Sequence, residues 1–86
     1  MNNFEGNTIV MFAIEMKKKL DKNEHKGGWQ NCDNEYLLKR LKEEVDEVET
    51  AIKYNKSLKY IMSECADVAN FAMMIADNYE EVKEQR

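Results

Sequence analysis

The sequence predicts an all-α fold of three antiparallel helices that completes a four-helix-type bundle by oligomerising. Three observations carry that prediction. The chain has no proline and only three glycines, two of them adjacent at Gly27-Gly28, so long stretches lack a helix breaker. Apolar residues recur at three- and four-residue intervals through most of its length. Charged residues make up 35% of it, with Glu and Lys dominant, which suits helices with solvated outer faces. At 86 residues the chain is one domain, 1–86, and a chain this short buries only about two thirds of the surface its unfolded form exposes. A core shared between subunits, in a homodimer or homotetramer, is therefore expected.

The first helix is predicted at about residues 8–22, where Ile9, Phe12, Ala13, Met16 and Leu20 stand at helical spacing. Asn7 or Thr8 would cap its start, and Lys17, Lys18 and Lys19 complement the negative end of its dipole. Residues 23–33 form a polar loop with the Gly pair and the sole tryptophan, Trp29. The second helix is predicted at about 34–54, capped by Asp33 or Asn34, with Leu37, Leu38, Leu41, Val45, Val48 and Ile52 as its apolar stripe. Asn55-Lys56-Ser57 makes a short connection, with Ser57 as the next cap. The third helix follows at about 58–83, with the stripe Leu58, Ile61, Cys65, Val68, Ala72, Ile75, Tyr79 and Val82. So short a connection makes the last two helices antiparallel neighbours.

Charge and hydropathy exclude several classes. The net charge is −4 and the cations are scattered, which argues against duplex nucleic acid, whose backbone is bound by clustered Lys and Arg. Residues 8–14 are apolar, but no basic segment precedes them and no small-residue cleavage site follows, so a signal peptide is not expected. The longest nearly apolar run, 61–76, contains Glu64 and Asp67 and is no membrane span. Cys32 and Cys65 lie far apart and outside paired metal-ligand spacing, so free thiols in a reducing cytoplasm are expected.

Four acids carry the functional reading: Glu44 and Glu47 on the second helix, Glu64 and Asp67 on the third. Residues three apart share a helix face, within reach of one ion. At roughly 100° per residue, both pairs project along the margin of their helix's apolar stripe, while Glu43, Asp46 and Glu49 turn away. Antiparallel packing would bring the pairs face to face. The run around Glu64 and Asp67 holds no Lys or Arg, and buried carboxylates are costly without a positive partner. Hard oxygen ligands of this kind suit Mg²⁺ or Mn²⁺.

The spacing resembles a known pattern. Glu43-Glu44-Val45-Asp46-Glu47, then sixteen residues (48–63), then Glu64-Cys65-Ala66-Asp67, is similar to the signature of the MazG-like all-α nucleoside triphosphate pyrophosphohydrolases, over roughly residues 29–77. The resemblance implies a metal-dependent hydrolase that cleaves an NTP or dNTP between the α- and β-phosphates to the monophosphate and pyrophosphate. It implies Glu44, Glu47, Glu64 and Asp67 as Mg²⁺ ligands, with Glu43 behind them or orienting the attacking water. It also implies an aromatic ring near Trp29 that stacks on the base, and Asn and Lys residues late in the chain that grip phosphates. Asn78, Lys83 and Arg86, or a neighbouring subunit, would fill that last role here.

Other residues have two readings each. Asn70 projects near Asp67 and would bond a metal-bound water, a ribose hydroxyl or a phosphate, or else sit at an interface. Trp29 stacks on a base or covers the end of a small core. Lys26 would meet a phosphate while Gly27-Gly28 lets backbone approach a ligand, and His25 joins it or is merely exposed. Met62, Met73 and Met74 are packing residues, and Cys65 is a buried thiol. The rival to the enzyme is a non-catalytic helical module that binds nucleotide or metal.

Overall fold

The computed structural model describes residues 3–22 and 28–84, and the side chains among them other than those of 3, 4 and 80–84. Among those residues there are three α-helices and no strand: α1 (Asn3–Lys22), α2 (Asn34–Lys53) and α3 (Leu58–Glu84). A 3-10 turn, Trp29–Asn31, leads into α2.

Helix α1 starts at Asn3, ahead of the expected Thr8. Gly6 and Asn7 weaken a helix without breaking it, and Glu5 in the first turn favours the positive end of the dipole. The cap of α2 is Asp33, whose Oδ1 accepts the Glu35 N–H at 3.0 Å. The helix ends by a left-handed stop. Asn55 takes φ 53°, the Asn55 N–H bonds the Ile52 carbonyl at 3.1 Å, and the Lys56 N–H bonds that of Ala51 at 3.0 Å. Asparagine tolerates that backbone, and the paired bonds satisfy carbonyls the helix leaves open. Ser57 then opens α3 as expected, its Oγ accepting the Tyr60 N–H at 3.1 Å.

Helix α3 packs against both α1 and α2. Among the described residues the buried apolar side chains are Leu37, Ala51 and Ala66, and Asn70 and Asn78 are buried with them. Two alanines let the helix backbones approach closely, and Leu37 is the single large side chain fully enclosed among the described residues.

The expected stripes are only partly covered. Leu38, Val45 and Ile52 on α2 are exposed, as are Ile9 on α1 and Leu58 and Tyr79 on α3, with Leu58 at 79%. Three helices do not enclose a stripe on every face. On α3 the buried line is Ala66, Asn70 and Asn78, multiples of four apart and rotated from the apolar stripe read in the sequence. Its polar members hide it from hydropathy. No helix among the described residues is long and apolar enough to cross a membrane.

Candidate metal centre and adjoining cleft

Glu44 comes from the middle of α2, Glu64 and Asp67 from the first half of α3, and helical spacing aims the last two at one side. One carboxylate oxygen from each of these three lies within 4.8 Å of the others, and all three side chains are half-buried. Glu47 is exposed and outside this trio, although its charge still reaches Glu64.

The expected lack of a basic partner is corrected. Arg40, one turn before Glu44, donates from Nη2 to Glu44 Oε1 at 3.0 Å and from Nη1 to Glu43 Oε1 at 2.6 Å. Its guanidinium also lies over the Phe71 ring, 5.2 Å from the centroid, which fixes the fork against α3. The Glu43 hydrogen bond is the main cause raising the guanidinium pKa; partial burial opposes it. Glu43 itself is exposed and turned to Arg40. From α1, Lys19 Nζ stands 3.3 Å from Asp67 Oδ2 and donates to Ser63 Oγ at 2.8 Å.

Glu64 is different. Among the described residues no ion pair or side-chain hydrogen bond holds it. Burial pushes its carboxyl above the ordinary carboxylate range; Asp67, Glu44 and Glu47 push the same way, and Lys19 opposes them. Among the described residues two cations, one shared with Glu43, thus face three half-buried acids.

The donor set fits a small hard cation. Octahedral Mg²⁺ takes oxygens at about 2.0–2.1 Å, so opposite ligands stand about 4.2 Å apart. At most one pair of the three can be opposite and the rest must stand about 2.9 Å apart, so oxygens spread over at most 4.8 Å close on the ion by side-chain movement of up to about 2 Å. Open coordination positions would remain for water or substrate oxygens.

Beside the acids lies a cleft of about 820 Å³. Trp29, Tyr36, Phe71 and Met74 give it an apolar wall, and Glu44 and Asp67 line it too. Asn70 lines the same cleft and is 3% exposed. Its Nδ2 donates to the Met16 carbonyl at 3.0 Å, which fixes the amide's orientation, and its buried Oδ1 has no hydrogen-bond partner. A buried carbonyl left so costs about 1–3 kcal/mol. As an acceptor it suits a water, hydroxyl or N–H donor; a phosphate oxygen, also an acceptor, is the wrong complement.

The base-stacking candidate is held from behind. Trp29 Nε1 donates to Asp77 Oδ2 at 2.9 Å while the ring stays half-exposed on the cleft. Asn78, expected to grip phosphate, is instead committed to structure: its Nδ2 donates to the Trp29 carbonyl at 3.3 Å and to Asn34 Oδ1 at 3.1 Å. Facing the loop end, a buried amide of this kind pins the 3-10 turn onto α3. His25, Lys26 and Arg86 lie outside the described residues, as does the Lys83 side chain. Cys65, expected buried, is half-buried; both cysteines are free.

Sequence reasoning missed Arg40, Lys19, Ser63 and Asp77. Arg40 was within reach, because three- and four-residue spacing to Glu43 and Glu44 is the standard ion-pair geometry of a helix. Lys19 and Asp77 had no such signal, since each meets a partner more than forty residues away. No known protein family, curated protein or solved structure matches this chain.

Proposed function

We propose that the protein is a metal-dependent nucleotide pyrophosphohydrolase of the MazG-like kind, acting on an NTP or dNTP. The observation that carries the reading is the convergence of Glu44, Glu64 and Asp67, from two helices, at the edge of a cleft with an aromatic wall. Glu44, Glu64 and Asp67, joined by Glu47, would hold Mg²⁺ or Mn²⁺. Bound there, the cation supplies charge neutralisation and polarisation of the attacked phosphoryl group. Water adds to the α-phosphorus, the bond from that phosphorus to the bridging oxygen breaks, and pyrophosphate leaves with the bonding pair. A carboxylate of the set not consumed in metal binding takes the water's proton. The Trp29 and Phe71 rings receive the base, and the enclosed Asn70 Oδ1 accepts from a bound water.

The helices of this reading are antiparallel, and a second copy covers their bare faces. Its support is the early end of α2 touching the late part of α3 through Asn34 and Asn78, and the exposed Ile9, Val10, Met11 and Ile14 on α1. An apolar patch of that kind on so small a chain favours a homodimer or dimer of dimers. A reducing cytoplasm is the compartment that suits its two free thiols.

The rival reading, a non-catalytic module that binds nucleotide or metal, draws on one observation. Arg40 and Lys19 already pair with Glu44 and Asp67, as they would if the acids served structure alone. A screen of common and modified NTPs with Mg²⁺ and pyrophosphate detection separates the two. The enzyme releases pyrophosphate from at least one of them, Asp67→Asn abolishes this with the helices intact, and Glu49→Gln on the exposed face leaves it unchanged. No release from any nucleotide sinks the enzymatic reading.

A further inference from the structure

A second cavity, about 450 Å³, opens between the last turns of α1 and the first turns of α3. Four lysines line it, Lys18, Lys19 and Lys22 from α1 and Lys59 from α3, together with Ser63. Glu15 and Asp21 also line it, but Asp21 is tied to Lys17 at 2.9 Å. The chain as a whole carries 17 acidic and 13 basic residues, so a cavity with twice as many lysines as acids inverts the protein's sign locally.

Its position matters as much as its charge. Lys19 lines both cavities and touches Asp67, while Ser63 precedes Glu64 directly. Lys19 therefore links the basic cavity to the aromatic cleft and to the acids Glu44 and Asp67 that line it. A ligand spanning all three would be apolar and planar at one end, bound through a cation at its middle, and polyanionic at the far end.

We infer that the lysine-lined cavity is an oligophosphate site that seats the terminal two phosphates of the substrate. The inference rests on the proposed pyrophosphohydrolase reading and gives it a direction: base at Trp29 and Phe71, α-phosphate at the acids, leaving group over Lys18, Lys22 and Lys59. The Lys19 ammonium, steered by Ser63 Oγ, stands at the joint where the broken bond would lie. Lysine acts here as a mobile point charge that follows phosphate oxygens, and the pyrophosphate dianion or trianion would gain several charge-assisted hydrogen bonds.

The probe is inorganic pyrophosphate, titrated calorimetrically into the full chain in buffer free of divalent cations. Wild type should bind it with an affinity that falls as salt rises. The triple variant Lys18→Gln/Lys22→Gln/Lys59→Gln should bind at least about tenfold more weakly, the loss expected for even one charged hydrogen bond. A control with the same charge change on exposed α2 positions, Lys39→Gln/Lys42→Gln/Lys53→Gln, should bind as wild type does. Independently of any variant, pyrophosphate should shift the backbone amide resonances of residues 18–22 and 59–63 in wild type. Equal affinity in wild type and the first triple variant, no binding at millimolar pyrophosphate, or shifts confined to other residues would overturn the inference. With no base and no metal in the titration, a negative result leaves the metal-centre reading standing. Binding without any nucleotide hydrolysis would keep an oligophosphate site here but overturn its assignment to a pyrophosphohydrolase substrate.

Discussion

Replacing Glu64 with glutamine should make the protein more stable without a divalent cation and take away its response to one. The carboxylate oxygens of Glu44, Glu64 and Asp67 lie within 4.8 Å of one another. Two full charges at that separation repel by about 0.9 kcal/mol in water and about 3.5 kcal/mol at an effective dielectric of 20. Glu64 is half-buried and Lys19 offsets part of the repulsion, so the lower part of that range applies. Removing both repulsions at pH 7 should stabilise the cation-free protein by about 1–2 kcal/mol, or about 4–16 °C in Tm for a domain this small. The pH dependence has a fixed sign. Burial and the neighbouring acids raise the folded carboxyl above its ordinary value of 4.5, so the folded state holds the proton more tightly than the unfolded one. Stability from this group is thus fully present below about pH 4.5 and lost as pH rises through the raised value. The variant's advantage should vanish near pH 4 and emerge above it. Saturating Mg²⁺ at a hundred times Kd should then add about 2.7 kcal/mol to wild type and much less to Glu64→Gln. Thermal unfolding followed by circular dichroism, with and without 10 mM Mg²⁺ (roughly a hundredfold excess over a sub-millimolar Kd), reads all of this. A variant less stable than wild type without cation at pH 7, or equal Mg²⁺ shifts in both, would refute the reasoning.

Further outcomes follow from the same contacts. Lys19→Met takes the ammonium from Asp67 and Ser63, so the cation-free Tm should fall by the equivalent of about 1 kcal/mol while the rise on adding Mg²⁺ becomes larger. Asn78→Ala removes a buried amide from the Trp29 carbonyl and Asn34, costing about 1–3 kcal/mol, and should red-shift the emission of the sole tryptophan as the 3-10 turn loosens. Leu37→Ala empties the site of the one large side chain fully enclosed among the described residues, at about 2–5 kcal/mol; denaturant melts should show most of the monomer's stability gone. Should the bare faces of α1 be covered by a second copy, Met11→Glu, at a position 66% exposed, should yield a smaller species by light scattering with its helices retained.

The helices themselves were legible because their signals are local. Asp33 and Ser57 offer oxygens to the first free N–H groups, and the absence of proline lets each segment run. The spacing of Glu64 and Asp67 was legible for the same reason, whereas Glu47, equally spaced from Glu44, lies exposed outside the trio. The register of α3 against its neighbours was not legible: its buried line includes Asn70 and Asn78, and a hydropathy stripe reads asparagine as surface. Nor was the charge balance at the site. The run around Glu64 contains no cation, yet Lys19 arrives from α1 across forty-four positions of sequence.

Local chemistry in the chain thus determined where α2 and α3 begin and end and that Glu64 and Asp67 share a face. Tertiary structure alone decided that Glu44 joins Glu64 and Asp67, that Lys19 faces them, and that the Asn70 acceptor is buried without a partner. The physical reason is one of range. Backbone hydrogen bonds and caps act within about four residues. The position of one helix against another depends on side chains as small as Ala51 and Ala66 and on polar bonds whose partners no periodicity connects.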